Sequence, residues 1–452
     1  MPIIRDIEAQ PILDSNGNWT TFTTIHADNG MKGFASVPTG HSVGPFDAKL
    51  VGYQKAVELV NTKIAPILKG HDIFDQSGID SALISLDGTN NKAVLGADTI
   101  LSVSIAAFNT AAKCKNLEVY KYLQMYFGFP ELSLTNFPTP LPNLINGGEH
   151  ATNTLKFQSF MLAPASFIPY PDALGMSVET YHQLQSLLKQ NNLSADVGEE
   201  GGFSPQGIDP ENACHYIIEA ITKVGHKPGQ DIFLAIDVSA NAFFSNGLYN
   251  VGGVLGSIDS QAMIETYVKL TRAYPILYLE DPLSSSSLEA WTNLVASVGN
   301  GVEIVGDDLT ATQGERVKNA ASSKSITGVN IKLNQIGTLS ETIDVIKLAK
   351  DQNLTVVISH RSGDTAEDVF IADLAVGCGA QYVKSGAPAR GERTAKYNRL
   401  LDIYHEIENL KPTIPGAIIP PTPLSTSPPK PPVVTEVPKS TLFTSEATNS
   451  TP

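Results

Sequence analysis

The sequence predicts an α/β barrel preceded by a smaller α+β unit, and three observations lead there. From about Asn136, short apolar runs alternate with stretches of helical spacing, as a series of βα units requires. The stretch from 136 to 410 is long enough for eight such units, which take about 250 residues. The first 135 residues lack this alternation and read as strands followed by helices.

Within that first unit, Ile7–Leu13 and Trp19–Ile25 read as strands around the turn cluster Asp14-Ser15-Asn16-Gly17-Asn18, and Asn29-Gly30 is a hairpin signal. Ala48–Ile67 and Ala97–Ala112 carry apolar residues at helical spacing. In the second unit the strands are expected at Phe233–Ile236, Ile276–Leu279, Ile304–Val305, Val329–Ile331, Leu354–Ile358 and Tyr382–Val383, all in one parallel sheet. Residues 411–452 hold 11 of the chain's 29 prolines, including Pro420-Pro421, Pro428-Pro429 and Pro431-Pro432. Such a segment has fixed φ, few donors and little to bury, so a disordered Pro/Ser/Thr-rich tail is expected.

A net charge of -15 argues against nucleic acid or an anionic membrane as the partner. Cys114, Cys214 and Cys378 are few and widely spaced, which suits a reducing compartment. The N-terminus lacks the apolar core of a signal peptide, and no apolar run reaches the length of a membrane span. A cytoplasmic protein is expected.

Each apolar run of the barrel ends on an ionisable residue: Asp237, Glu280, Asp307, Lys332, His360 and Lys384. Active sites of barrel enzymes lie at the carboxyl ends of the strands, so these six residues are expected to ring one mouth. A lone Asp after a strand is often a helix cap, but capping does not call for two lysines. Three carboxylates suit a hard cation such as magnesium; without one they repel and raise each other's pKa. Beside that cation Lys332 would be pushed towards its neutral form. Arg361-Ser362 offers a guanidinium fork for a phosphate. The pair Glu199-Glu200, in the loop Gly198–Gly202, favours one carboxyl with a raised pKa, suited to acid catalysis.

These blocks resemble the enolase family. Leu86-Asp87-Gly88-Thr89, Asn146-Gly147-Gly148, Glu200-Gly201-Gly202, Glu280-Asp281-Pro282, Lys332–Glu341, Ser359–Gly363 and Ser385–Arg390 carry the likeness, which runs from about Ile4 to Leu410. The resemblance implies an enolase-type barrel with an N-terminal α+β domain. It also implies a lyase that reversibly dehydrates 2-phosphoglycerate to phosphoenolpyruvate. Asp237, Glu280 and Asp307 would hold one Mg2+ and Ser42 would help hold a second, bound with substrate. Lys332 would be the base and Glu200 the acid. His150, Gln158, Ser159, His360, Arg361, Ser362 and Lys384 would contact substrate. A homodimer is also implied, although the positions of its ion pairs hold Gln10, Phe22, Asp402 and His405.

One departure falls in the site. Where the family reads Gln-Glu-Phe-Met, this chain reads Gln158-Ser159-Phe160-Met161. Serine cannot titrate near neutral pH, and acid–base help is worth about 10²–10⁴-fold. Glu149 is a candidate to compensate. The alternative expectation is a catalytically weakened, enolase-like binding or regulatory protein that keeps the metal and phosphate site.

Overall fold

The structure, a computed structural model, describes residues 1–40, 44–252, 256–299 and 301–410. Ser42 and the proline-rich segment lie outside the described residues. Residues Met1–Leu410 make one unit of contacts.

The chain opens with the antiparallel sheet β1 (Ile4–Leu13), β2 (Trp19–Ala27) and β3 (Lys32–Ser36). β1 alternates buried Ile7 and Ala9 with exposed neighbours, the period-2 pattern of a half-buried strand. The helix Ala97–Cys114 covers that sheet, with almost every residue buried. A Cβ on Gly33 of β3 would lie 2.5 Å from the Thr110 amide nitrogen, so glycine there lets the helix approach the strand. The stretch expected to be helical from Ala48 starts later, as helix Tyr53–Leu59. Gly52, at φ 82°, places the chain outside helical space just before it.

The second sheet carries the site. It runs through β4 (Thr139–Pro140), β5 (Asn143–Asn146), β6 (Ser159–Pro164) and β7 (Ile232–Asp237). A small antiparallel sheet, β8 (Phe244–Ser245), β9 (Leu248–Gly252) and β10 (Gly256–Ile258), then interrupts it. It resumes with β11 (Ile276–Glu280), β12 (Glu303–Gly306), β13 (Gly328–Ile331), β14 (Thr355–Ser359) and β15 (Tyr382–Lys384). The strand order is β4-β15-β14-β13-β12-β11-β7-β6-β5. The two ends of that order, β4 and β5, are separated in the chain only by Leu141 and Pro142. The Leu141 amide bonds the Val383 carbonyl at 2.9 Å, and the Leu162 amide bonds the Pro142 carbonyl at 3.0 Å. One segment thus pairs with β15 on one side and β6 on the other, which closes the sheet into an α/β barrel.

All six runs read from sequence lie on β7 and β11–β15. The barrel is not wholly parallel, however. β6 is antiparallel to both β5 and β7, with Ser159 opposite Asp237. Both β5 and β6 are buried throughout, so neither shows the period-2 signal of a half-exposed strand. The barrel interior is filled by Leu141, Met161, Ala163, Ala235, Tyr278, Val305 and Val357, all fully buried, so it is a packed core and not a pore.

Candidate active site at the barrel mouth

Strand polarity decides which residues meet. Asp237, Glu280 and Lys384 are the last residues of β7, β11 and β15. Asp307, Lys332 and His360 directly follow β12, β13 and β14. These strands run parallel in register, with Glu280 opposite Asp237 and Ser359 opposite Lys384, so their ends share one rim. Because β6 runs the other way, it presents its beginning, Gln158 and Ser159, at the same rim.

One side of the rim is a cluster of three carboxylates and two lysines. Lys384 Nζ lies 2.5 Å from Asp237 Oδ2 and 3.1 Å from both oxygens of Glu280. Lys332 Nζ donates to Asp307 Oδ2. Neutral donors complete the acids' shells. Gln158 Nε2 reaches Asp237 at 3.1 Å, Tyr278 Oη and Asn330 Nδ2 reach Glu280 at 2.7 and 2.6 Å, and Gln335 Nε2 reaches Asp307 at 2.9 Å. Burial and the nearby Asp237 charge push Glu280 up to about 7. Burial would push the Lys332 ammonium down, but Asp307 outweighs it and raises the lysine above its ordinary value. Burial likewise opposes the charge on Lys384, and Asp237 with Glu280 raises it well above the ordinary value.

Asp237, Glu280 and Asp307 are buried hard oxygen donors of the kind that hold magnesium, and in this structure the Lys332 and Lys384 ammoniums lie on them. Among the described residues, the acids whose ligand oxygens all lie within 4.8 Å of one another are Asp281, Asp307 and Asp308, and the trio Asp237, Glu280 and Asp307 does not meet that spacing. The two sets share only Asp307. Asp281 is committed elsewhere: its oxygens accept the amides of Asp307 at 2.9 Å and Asp308 at 2.7 Å, fixing the turn after β12.

The other side of the rim centres on Glu200. Its Oε2 accepts from Asn143 Nδ2 at 2.7 Å, Ser159 Oγ at 2.9 Å and Asn146 Nδ2 at 3.2 Å. Its Oε1 faces His360 Nε2 at 3.3 Å and His150 Nε2 at 3.9 Å. Burial would raise this carboxyl, yet His150, His360 and Lys384 together hold it well below the usual carboxylate range. This corrects the paired-acid expectation. Glu199 is not its partner in a shared site; it turns outward to His150 Nδ1 at 3.4 Å. Burial lowers His360 to about 4, with the Arg393 guanidinium adding to the shift. His150 goes the other way: burial opposes its charge, but Glu200 and Glu199 raise it above the ordinary value.

Between the two sides lies a polar cleft. His150, Gln158, Glu200, Lys332, His360, Arg361, Ser362 and Lys384 line it. Arg361 Nη2 bonds Asp47 Oδ2 at 2.7 Å, so its guanidinium is held at the cleft by a carboxylate from the N-terminal region. Glu149 is exposed, and the Ser159 hydroxyl itself takes the place beside Glu200. Charge-led reading of the sequence passed over Asn143, Asp47 and Arg393. Asn143 carries no charge, and the other two stand away from the strand ends that drew attention.

Two family models match the chain. The enolase N-terminal domain matches residues 4–123, and the enolase C-terminal TIM barrel domain matches residues 134–413.

Proposed function

We propose that this chain, which belongs to the enolase family, reversibly dehydrates 2-phosphoglycerate to phosphoenolpyruvate, with residues 1–135 as the N-terminal domain and 136–410 as the catalytic barrel. The observation that carries the reading is the single cleft shared by Lys332, Lys384, Arg361, Ser362 and Glu200. It offers a base, an acid and a cationic clamp to one small anionic molecule.

In this reading Lys332 Nζ takes the proton beside the substrate carboxylate, and the leaving hydroxide collects a proton from Glu200 Oε1 and departs as water. Lys332 is held protonated by Asp307, so whatever draws Asp307 away leaves burial unopposed and lowers the lysine towards the free base. Glu200 is held ionised, which suits it to deprotonate water in the hydration direction. In the dehydration direction it must first take up a proton at Oε1, since Oε2 already accepts three hydrogen bonds. Arg361 and Ser362 would bind the phosphate; His150, Gln158, Ser159 and His360 would shape the rest of the cleft. Asp237, Glu280 and Asp307, with Ser42 for a second ion, would hold Mg2+. When bound it would stabilise the negative charge that develops on the substrate carboxylate.

The test is magnesium-dependent appearance of phosphoenolpyruvate absorbance from 2-phosphoglycerate, with a chelator control. Lys332→Ala should lower kcat by about 10²–10⁴-fold. No turnover at saturating magnesium would remove the reading. Ser159 favours one alternative, a weakened protein that binds the same ligand without appreciable catalysis. A large rate gain in Ser159→Glu, from a wild type that ligand stabilises but that barely turns over, would select it.

A further inference from the structure

We propose that Arg393 is a positioning residue that locks His360 in one tautomer and aims its remaining ring proton at Glu200 Oε1; the kinetic part of this inference rests on the dehydratase reading above. Arg393 belongs to the first turn of the helix Gly391–Asn409 and is 0% exposed. Its Nη1 donates to His360 Nδ1, and lies 3.3 Å from Asp364 Oδ2 and 3.4 Å from the Arg361 carbonyl. Its Nε faces Glu392 Oε1 at 3.5 Å.

A guanidinium has five N–H donors, no acceptor, and stays protonated in proteins. The ring nitrogen that faces it must therefore present a lone pair. Nδ1 of His360 then carries no hydrogen, which excludes the imidazolium, and the one ring proton sits on Nε2. That nitrogen lies 3.3 Å from Glu200 Oε1. Because Oε2 is saturated by Asn143, Ser159 and Asn146, Oε1 is the oxygen left to exchange a proton, and His360 is its fixed donor. The charged groups facing the His360 ring are Arg393, Glu200 and Asp364. Gly386 makes room for the arrangement: a Cβ there would stand 2.7 Å from Arg393 Cδ and 2.9 Å from the Glu200 carbonyl oxygen.

The experiment is long-range ¹⁵N–¹H NMR on full-length protein with ¹⁵N-labelled histidine. The nine histidines keep the spectrum assignable, and His360→Gln identifies the resonance. The expected result for wild type is a bare Nδ1 and a protonated Nε2 that persist across neutral pH. Arg393→Met should mix the tautomers and let the ring titrate, while Arg393→Lys, which keeps a donor, should restore the native pattern. In turnover, Arg393→Met should lose about 10-fold or more in kcat with KM within about twofold, the pattern of a misdirected proton rather than lost binding. A wild-type His360 protonated on Nδ1, or doubly protonated at neutral pH, overturns the proposal even if the methionine variant does not fold. An unchanged tautomer in a folded Arg393→Met overturns it as well. The expected tautomer in a protein without turnover supports the assignment and counts only against the dehydratase reading.

Discussion

The two sides of the barrel mouth solve the same problem by different means. Around Asp237, Glu280 and Asp307, buried negative charge is met by the opposite charges of Lys332 and Lys384. Around Glu200 the groups that hydrogen-bond the carboxylate are neutral, two amides, a hydroxyl and the His360 imidazole, while His150 and Lys384 add positive charge. The difference teaches how each side should fail. Removing one partner of a buried ion pair strands the other charge, whereas removing one of several dipoles around a carboxylate is a graded loss.

The sharpest break of that contrast is Lys384→Met. It leaves Asp237 and Glu280 without their cation and should cost about 3–5 kcal/mol in denaturant unfolding. A cost near zero would mean that the acids are already protonated in the folded protein.

On the Glu200 side the largest effect is in pH dependence. His360 falls from the ordinary 6.5 to about 4 in the folded protein. The unfolded chain therefore binds the proton first, and this group's contribution is complete above 6.5 and lost as pH falls from 6.5 to about 4. It amounts to about 3 kcal/mol. His360→Gln should flatten that part of the stability–pH curve; an unchanged slope would assign the acid sensitivity elsewhere.

Magnesium should act on the charged side alone. At about 100 times its dissociation constant it should add about 2.7 kcal/mol of stability to wild type. Asp307→Asn should lose most of that gain while Ser159→Ala keeps it, as read from melting temperature. The smallest effect is Ser159→Ala itself. It removes one of three donors to Glu200 Oε2 and should cost about 1.5–3 kcal/mol or less, since Asn143 and Asn146 remain. A loss as large as that of Lys384→Met would erase the distinction between the two sides.

Much of the mouth was legible in the chain because parallel strands repeat a rule. The apolar runs ending in Asp237, Glu280, Asp307, Lys332, His360 and Lys384 needed only the knowledge that parallel strands present their carboxyl ends together. β6 broke that rule. Its run, Phe160-Met161-Leu162, has the ionisable residues at neither end, and its antiparallel course brings its start to the rim. Glu200 was located by its loop, but its state was misjudged, because adjacency to Glu199 in sequence says nothing about which way the two side chains turn.

By itself, then, the sequence determined which kinds of group line the mouth and in what strand order, since residue type, period and chain order are local properties. Only tertiary structure decided which charge faces which. The lysines, histidines and arginine that set the state of each acid come from elements far apart in the chain, and whether a buried carboxylate is raised or lowered depends on neighbours within a few ångströms. That proximity exists only once the barrel has closed.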